Sequence, residues 1–326
     1  MTASQRIIQL ARRLAKGSDE ILLLSTPSVF YYAIRNKLTN GIRYIGDKTV
    51  VTEFLCNMAG NGTKCDFMTD VVSERSYAGV VVIDPPWYEE FLFSFMWLAA
   101  TSCRIGGHVI LSFPPEGTRP GIRSEWLRFK NWADQLGMSQ IIHEEGQLTY
   151  DAPFFEVNAL SAEGINITRD WRKGDICVFK KLYDVNLPRP QIKNSSTWDE
   201  VQMGPVRLKI REPASTEKHE IDPRLSPIVP GEILPSVSRR DPRREIANVW
   251  TSGNRIFSCS CPDILAHVIL AHRNGEPAAK EIEFLINRGL SPQERVAVEE
   301  SELQVKNIKE KEARELSLLV HGQNAI

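Results

Sequence analysis

The sequence predicts an α/β fold built on a largely parallel sheet, followed by a smaller α+β region. Three observations carry that expectation. Short apolar runs alternate with segments of helical periodicity over about the first 185 residues. One of these runs, residues 78–83, reads Ala-Gly-Val-Val-Val-Ile, the pattern of a strand buried on both faces. A proline-rich polar stretch, residues 187–197, then separates this part from sequence of different character. We therefore divide the chain into residues 1–187 and an accessory region, 188–326.

The elements follow in order. Residues 4–15 place Ile7, Ile8, Leu10, Ala11 and Leu14 at helical spacing behind a capping Ser4, and Gly17 ends them. A short strand, 20–24, leads into Ser25-Thr26-Pro27-Ser28 and a helix over 29–38. Strands are expected at 42–45, 64–68 and 78–83, ending at Asp47, Asp70 and Asp84. A helix over 88–102, a strand over 107–113 stopped by Pro114-Pro115, and a helix over 126–136 come next. Residues 154–159 and 174–180 read as a closing pair of strands. In the accessory region, 206–210 alternates like an exposed strand, and 213–244 reads as ordered loop. Residues 246–257 contain a turn at Ser252-Gly253-Asn254. Helices are expected over 262–273, 277–288 and from Ser291-Pro292 to about 320.

Composition narrows the function classes. With 42% hydrophobic and 25% charged residues, the chain is an ordinary folded protein, and its net charge of −1 announces no general nucleic-acid or membrane coat. The longest apolar stretch, residues 91–100, is too short to span a bilayer, and the first residues lack the apolar core of a signal peptide. Six cysteines without a dense framework fit reduced thiols, and a cytoplasmic location is expected.

Asp84-Pro85-Pro86-Trp87 is the most informative string. An acid and two prolines cannot continue the ladder, so the chain leaves the sheet at its carboxyl edge, where open α/β sheets bind ligands. An exocyclic amine on a base is a poor nucleophile, because its lone pair is delocalised into the ring. An acceptor on each N–H, Asp84 on one and the Pro85 carbonyl on the other, frees that pair for attack. Trp87 stacks on the ring and orients it. The bland reading is a strand ending in a Pro-Pro turn beside a half-buried tryptophan. The loops after the first three strands, with Ser25, Thr26, Pro27, Ser28, Asp47 and Asp70, lie where a nucleotide-like cofactor would sit.

On these residues the first 160 or so positions resemble the N6-adenine methyltransferase family, whose members include elongation-factor lysine methyltransferases. The resemblance rests on Leu24-Ser25-Thr26-Pro27-Ser28-Val29, Asp47-Lys48, Asp70 and the Asp84–Trp87 tetrad, with Phe155-Glu156 as a further aromatic-acidic match. It implies a Rossmann-like methyltransferase fold of seven strands that uses S-adenosylmethionine, and it does not extend beyond about residue 190. Two departures stand out. The first loop has no glycine, so the hydroxyls of Ser25, Thr26 and Ser28 take over the cofactor contacts. Where many relatives carry a ribose-holding acid within strand two, this chain has Ile45, so either Asp47 takes that role or the ribose is held differently.

Weaker signals carry less. Cys259-Ser260-Cys261 with His267 and His272 has poor spacing for zinc, and no metal is expected. Arg239-Arg240-Asp241-Pro242-Arg243-Arg244 is a basic segment that could meet phosphates or stay solvated. Phe113-Pro114-Pro115 is either a cleft wall or a simple turn, and the last helix is a packing or dimer-forming element. The sequence therefore predicts an S-adenosylmethionine-dependent N-methyltransferase with a substrate-selecting accessory domain. Adenine N6 in nucleic acid is the favoured acceptor and a protein lysine its rival; no membrane partner is expected. A non-catalytic binding module on the same fold is the alternative of another class.

Overall fold

The computed structural model describes residues 2–60, 64–67, 77–167, 171–191, 198–211, 221–238 and 241–324. Asp70, Arg239 and Arg240 lie outside them. Contacts group the chain into two compact units, Met1–Asp151 with Asp170–Lys193, and Ala152–Arg169 with Asn194–Ile326.

The first unit contains α1 (Ala3–Leu14), β1 (Ile21–Leu24), α2 (Pro27–Arg35), β2 (Ile42–Gly46), α3 (Val50–Ala59), β3 (Lys64–Phe67), β4 (Ala78–Ile83), α4 (Glu89–Ser102), β5 (Cys103–Phe113), α5 (Ile122–Gln135) and β6 (Met138–Tyr150). After α6 (Phe154–Ala162), which packs in the second unit, the chain returns with β7 (Arg172–Lys181). The sheet runs β3-β2-β1-β4-β5-β7-β6, parallel except for β7, which is antiparallel to both its neighbours. This is the Rossmann-like methyltransferase fold that the sequence predicts.

Strand pleating sorts the side chains into two cores. Leu22, Leu24, Val81, Ile83, Val109 and Leu111 join α4 and α5 on one face. Ile21, Leu23, Val80, Val82 and Ile110 join α1, α2 and Leu55 of α3 on the other. Burial on both faces is why these strands read as continuous apolar runs. At the amino edge, Gly107 lets β5 approach β4 closely. A Cβ there would lie 2.7 Å from the Gly79 carbonyl oxygen and 2.9 Å from that of Arg104, both of them backbone. Gly107→Ala is expected to destabilise the protein by about 1–3 kcal/mol. A urea midpoint unchanged from wild type would refute the close approach.

The structure corrects the sequence in three places. Residues 154–159 form part of helix α6, not a strand, so Phe155 and Glu156 do not belong to the sheet. The strand that closes the sheet with β7 is β6, whose polar sequence His143-Glu144-Glu145 hid it. It is the edge strand, where charged side chains reach solvent and discourage pairing with other chains. Finally, Cys103, Cys177, Cys259 and Cys261 are free thiols, but Cys56 is disulfide-bonded, against the expectation of reduced thiols throughout.

The second unit is α+β. Besides α6 it holds β8 (Asp199–Met203), β9 (Val206–Ile210), β10 (Ser226–Pro227), α7 (Arg243–Ile246), β11 (Val249–Thr251), β12 (Ile256–Ser258), α8 (Pro262–Asn274), α9 (Ala278–Ile286) and α10 (Pro292–Asn324). Its sheet, β10-β12-β11-β9-β8, has antiparallel pairings throughout, and Leu208, Val249 and Phe257 pack with Leu265, Ile269 and Val305 of α8 and α10. The β11–β12 turn is tied to α10 by buried charge. Arg255 meets Glu312 at 3.0 Å and Glu315 at 2.6 Å, and the side chains of Arg255 and Glu312 are both fully buried. Glu312 also accepts from Thr251, from Ser252 at 2.9 Å and from the Gly253 N–H at 2.9 Å. No helix among the described residues is long and apolar enough to cross a membrane.

Candidate active site

Strand register builds the site. Leu24 pairs with Ile45 and with Ile83, and Ile83 pairs with Leu111. The next residues, Ser25, Gly46, Asp84 and Ser112, therefore stand at the carboxyl ends of four neighbouring strands. Of the sequence-predicted residues, this edge brings together Ser25, Thr26, Pro27 and Ser28 after β1, Asp47 after β2, and Asp84, Pro85, Pro86 and Trp87 after β4.

The first loop turns sharply. Ser25 takes a left-handed conformation, φ +46°, that side chains rarely adopt, while its N–H donates to the Ile45 carbonyl at 2.7 Å. Thr26 is buried and precedes α2, and Pro27 occupies the first helical turn, where its missing N–H costs nothing. The Ser25 and Thr26 hydroxyls are buried and have no hydrogen-bond partner. Such groups are costly to leave unpaired, so this cradle fits a polar ligand. Pro27, Ser28 and Asp47 are exposed. Beneath Asp47, Tyr44 stacks on Phe30 with ring centroids 4.5 Å apart. Burial, and after it the Asp47 charge, raises the Tyr44 phenol, while a hydrogen bond with Thr52 opposes them.

At the end of β4 the chain makes a tight turn, closed by the Tyr88 N–H on the Pro86 carbonyl at 2.7 Å. Pro85 is buried, and Asp84 keeps part of its surface in solvent. Burial raises the Asp84 carboxyl above the usual carboxylate range; hydrogen bonds from Ser112 and Tyr150 and the Arg172 charge oppose it. Ser112, fully buried, accepts from Trp87 Nε1 at 3.3 Å and from the Tyr150 hydroxyl at 2.7 Å; that hydroxyl also lies 3.4 Å from Asp84 Oδ1. The Trp87 and Tyr150 rings meet edge to face, 5.9 Å between centroids, and the Arg172 guanidinium lies 5.0 Å from the Trp87 ring. Both rings crowd Gly174, where a Cβ would lie 2.8 Å from Tyr150 and 3.2 Å from Trp87. Burial, with the Asp84 charge behind it, raises the Tyr150 phenol well above its ordinary value, so it stays a neutral donor.

Ser112, Tyr150, Arg172 and Gly174 are the residues that sequence reasoning missed. Only Ser112 left a signal, a lone hydroxyl in the apolar run Val109-Ile110-Leu111-Ser112-Phe113. Among the described residues no group of three or more His, Cys, Asp or Glu could hold a metal ion. Cys259 is buried with its sulfur 3.4 Å from the Pro223 carbonyl oxygen, and burial pushes its thiol up to about 12.

No protein-family profile matches the chain, and no curated protein matches it in sequence. The similarity is to solved structures and is one of fold. A branched-chain polyamine synthase mutein from Thermus thermophilus, in complex with 5′-methylthioadenosine, aligns at 12% identity and a TM-score of 0.49, over 59% of this chain and 59% of that one. A putative methyltransferase from Bacillus halodurans aligns at 11% identity, TM-score 0.37, over 55% of this chain and 99% of that one. The T. thermophilus 16S rRNA N2 methyltransferase, in complex with AdoMet and guanosine, aligns at 12% identity, TM-score 0.34, over 66% and 49%. The chain thus spans about three fifths of the first of these structures and half of the third.

Proposed function

We propose that the protein is an S-adenosylmethionine-dependent N-methyltransferase acting on an exocyclic amine, adenine N6 in a nucleic acid. One observation carries the reading: the Asp84 carboxyl and the Trp87 ring meet at one pair of hydroxyls, Ser112 and Tyr150, at the carboxyl edge of the sheet, two strands from Asp47 and next to the polar loop of Ser25 and Thr26. The unpartnered hydroxyls of that loop fit a polar cofactor, with Asp47 left to hold ribose hydroxyls. When bound, S-adenosylmethionine supplies a methyl group on a positively charged sulfur.

The residues of the chain do the rest. Asp84 accepts one N–H of the amine and the Pro85 carbonyl accepts the other, drawing the nitrogen toward tetrahedral geometry. Trp87 stacks on the base and holds it at attack distance. Asp84, made more basic by burial, takes the proton that the nitrogen sheds. Because Trp87 already has the Arg172 guanidinium against its ring, a neutral flat base suits it better than a second cation, which favours adenine over a lysine ammonium. A base in a duplex has to be flipped out to reach this edge; one in a single strand does not.

Transfer of labelled methyl from S-adenosylmethionine into host lysate, split into nuclease-treated and protease-treated halves, tests the reading. Label removed by nuclease supports it. Label removed only by protease replaces adenine with a protein acceptor. No label, together with no heat on titration with S-adenosylmethionine, makes the chain a binding module.

A further inference from the structure

We propose that Ser112 and Tyr150 are positioning residues of this site, locking the Asp84 carboxyl and the Trp87 ring to each other so that acceptor and stacking surface meet the base as one preset unit. The inference rests on the function proposed above, and no resemblance or comparison assigns either residue.

A serine hydroxyl has one proton to give and two lone pairs to receive with. Trp87 Nε1, which can only donate, uses one lone pair at 3.3 Å, and the Tyr150 hydroxyl uses the other at 2.7 Å. That leaves the Ser112 proton free to be given, and the charged form of Asp84 is the one Ser112 favours. A fully buried hydroxyl thus holds Trp87 from β4's turn and Tyr150, the last residue of β6, and Tyr150 reaches on to Asp84. Tyr150 itself has one proton. Its shorter contact is to Ser112 at 2.7 Å and its longer one to Asp84 Oδ1 at 3.4 Å, so the Tyr150 hydroxyl bridges the serine and the carboxyl.

The arrangement also fixes rotations that a free site would have to freeze on binding. A free carboxylate turns about its χ angles and a free indole swings about Cβ. Here the paired hydroxyls of Ser112 and Tyr150 couple the two, and the edge contact of the Tyr150 ring holds the indole from the side. Gly174 keeps that contact open, because a methyl there would press on both rings. Donation to Asp84 further favours its charged, accepting form against the burial that disfavours it.

Ser112→Ala and Tyr150→Phe in the full-length protein test the assignment. Each is expected to lower kcat for methyl transfer roughly 10- to 100-fold. The Kd for S-adenosylmethionine should stay within about twofold of wild type, since neither residue lies in the loops after β1 and β2. The acid limb of the kcat profile should move to higher pH, because Asp84 loses a donor to its charged form; a merely structural role would not move it. Ser112→Thr, which keeps the hydroxyl, should restore the position of the limb even where its extra methyl lowers stability. An NMR titration of the Asp84 carboxyl carbon in each variant reads the same coupling without turnover, so it remains decisive if the protein proves not to methylate adenine. Variants that bind cofactor and titrate as the wild type does, with unchanged kcat where turnover is measured, would overturn the assignment.

Discussion

Asp84→Ala is expected to lower methyl transfer by about 1000-fold, roughly 4 kcal/mol in the transition state, while leaving the affinity for S-adenosylmethionine almost unchanged. In the function proposed above, the side chain lost is the one that accepts from the amine, whereas the first loop is left intact. Asp84→Asn should lose less, since its amide oxygen still accepts an N–H, and it should have no acid limb of its own. The same residue makes a prediction about stability. Its carboxyl is raised by burial, so the stability it contributes is present below its unfolded value and is lost as pH rises through the folded one. At neutral pH the wild-type protein bears the cost of a buried charge that the proposed function calls for. Asp84→Asn is therefore expected to unfold at a higher temperature than wild type at pH 8, with the difference shrinking toward pH 4. Parallel melting curves across that range would show that Asp84 is not held against its burial.

Arg255→Met is expected to destabilise the second unit by about 3–5 kcal/mol, the cost of stranding a buried charge. Glu312 would keep its hydrogen bonds from Thr251, Ser252 and Gly253 but lose the cation that faces it at 3.0 Å. Burial already pushes the Glu312 carboxyl up, with the Thr251 hydroxyl and Arg255 opposing it, so without Arg255 it takes up a proton more readily. The loss should therefore be smaller at pH 5 than at pH 8. Hydrogen exchange of the β11 amides reads this locally, without requiring the two units to unfold together. A loss below about 1 kcal/mol at both pH values would mean that the ion pair is no anchor.

The sequence made the pieces of the site legible where function and local structure shared a few consecutive residues. Asp84-Pro85-Pro86-Trp87 announced itself because a strand end, a proline stop and an aromatic lie within one short string. Ser25 to Ser28 did so because a hydroxyl-rich string followed a buried strand. Ser112 and Tyr150 could not be found this way. They are separated by 38 residues, and only the antiparallel insertion of β7 between β5 and β6 brings β6 to this edge. The same insertion hid the last strand pair. Residues 154–159 are two thirds apolar or aromatic, and short runs of that kind suit either a strand or a helix. Their polar competitor, β6, lies at an edge where one side faces water, so its pattern carries charges that a central strand would exclude.

The chain's passage between units has a consequence for synthesis. The ribosome makes β1 through β6 first, then a helix that belongs to the second unit, and only then β7. Yet β7 is the strand that joins β6 to the rest of the sheet, pairing with β5 on one side and β6 on the other. Until it emerges, β5 is an open edge and Tyr150 has no strand to hold it near Ser112. The cluster of Asp84, Trp87, Ser112 and Tyr150 is therefore assembled late, after the intervening segment 152–169 has been made. A nascent chain stopped at residue 151 would carry the Asp84 tetrad on an unfinished sheet, exposed to pairing with other chains.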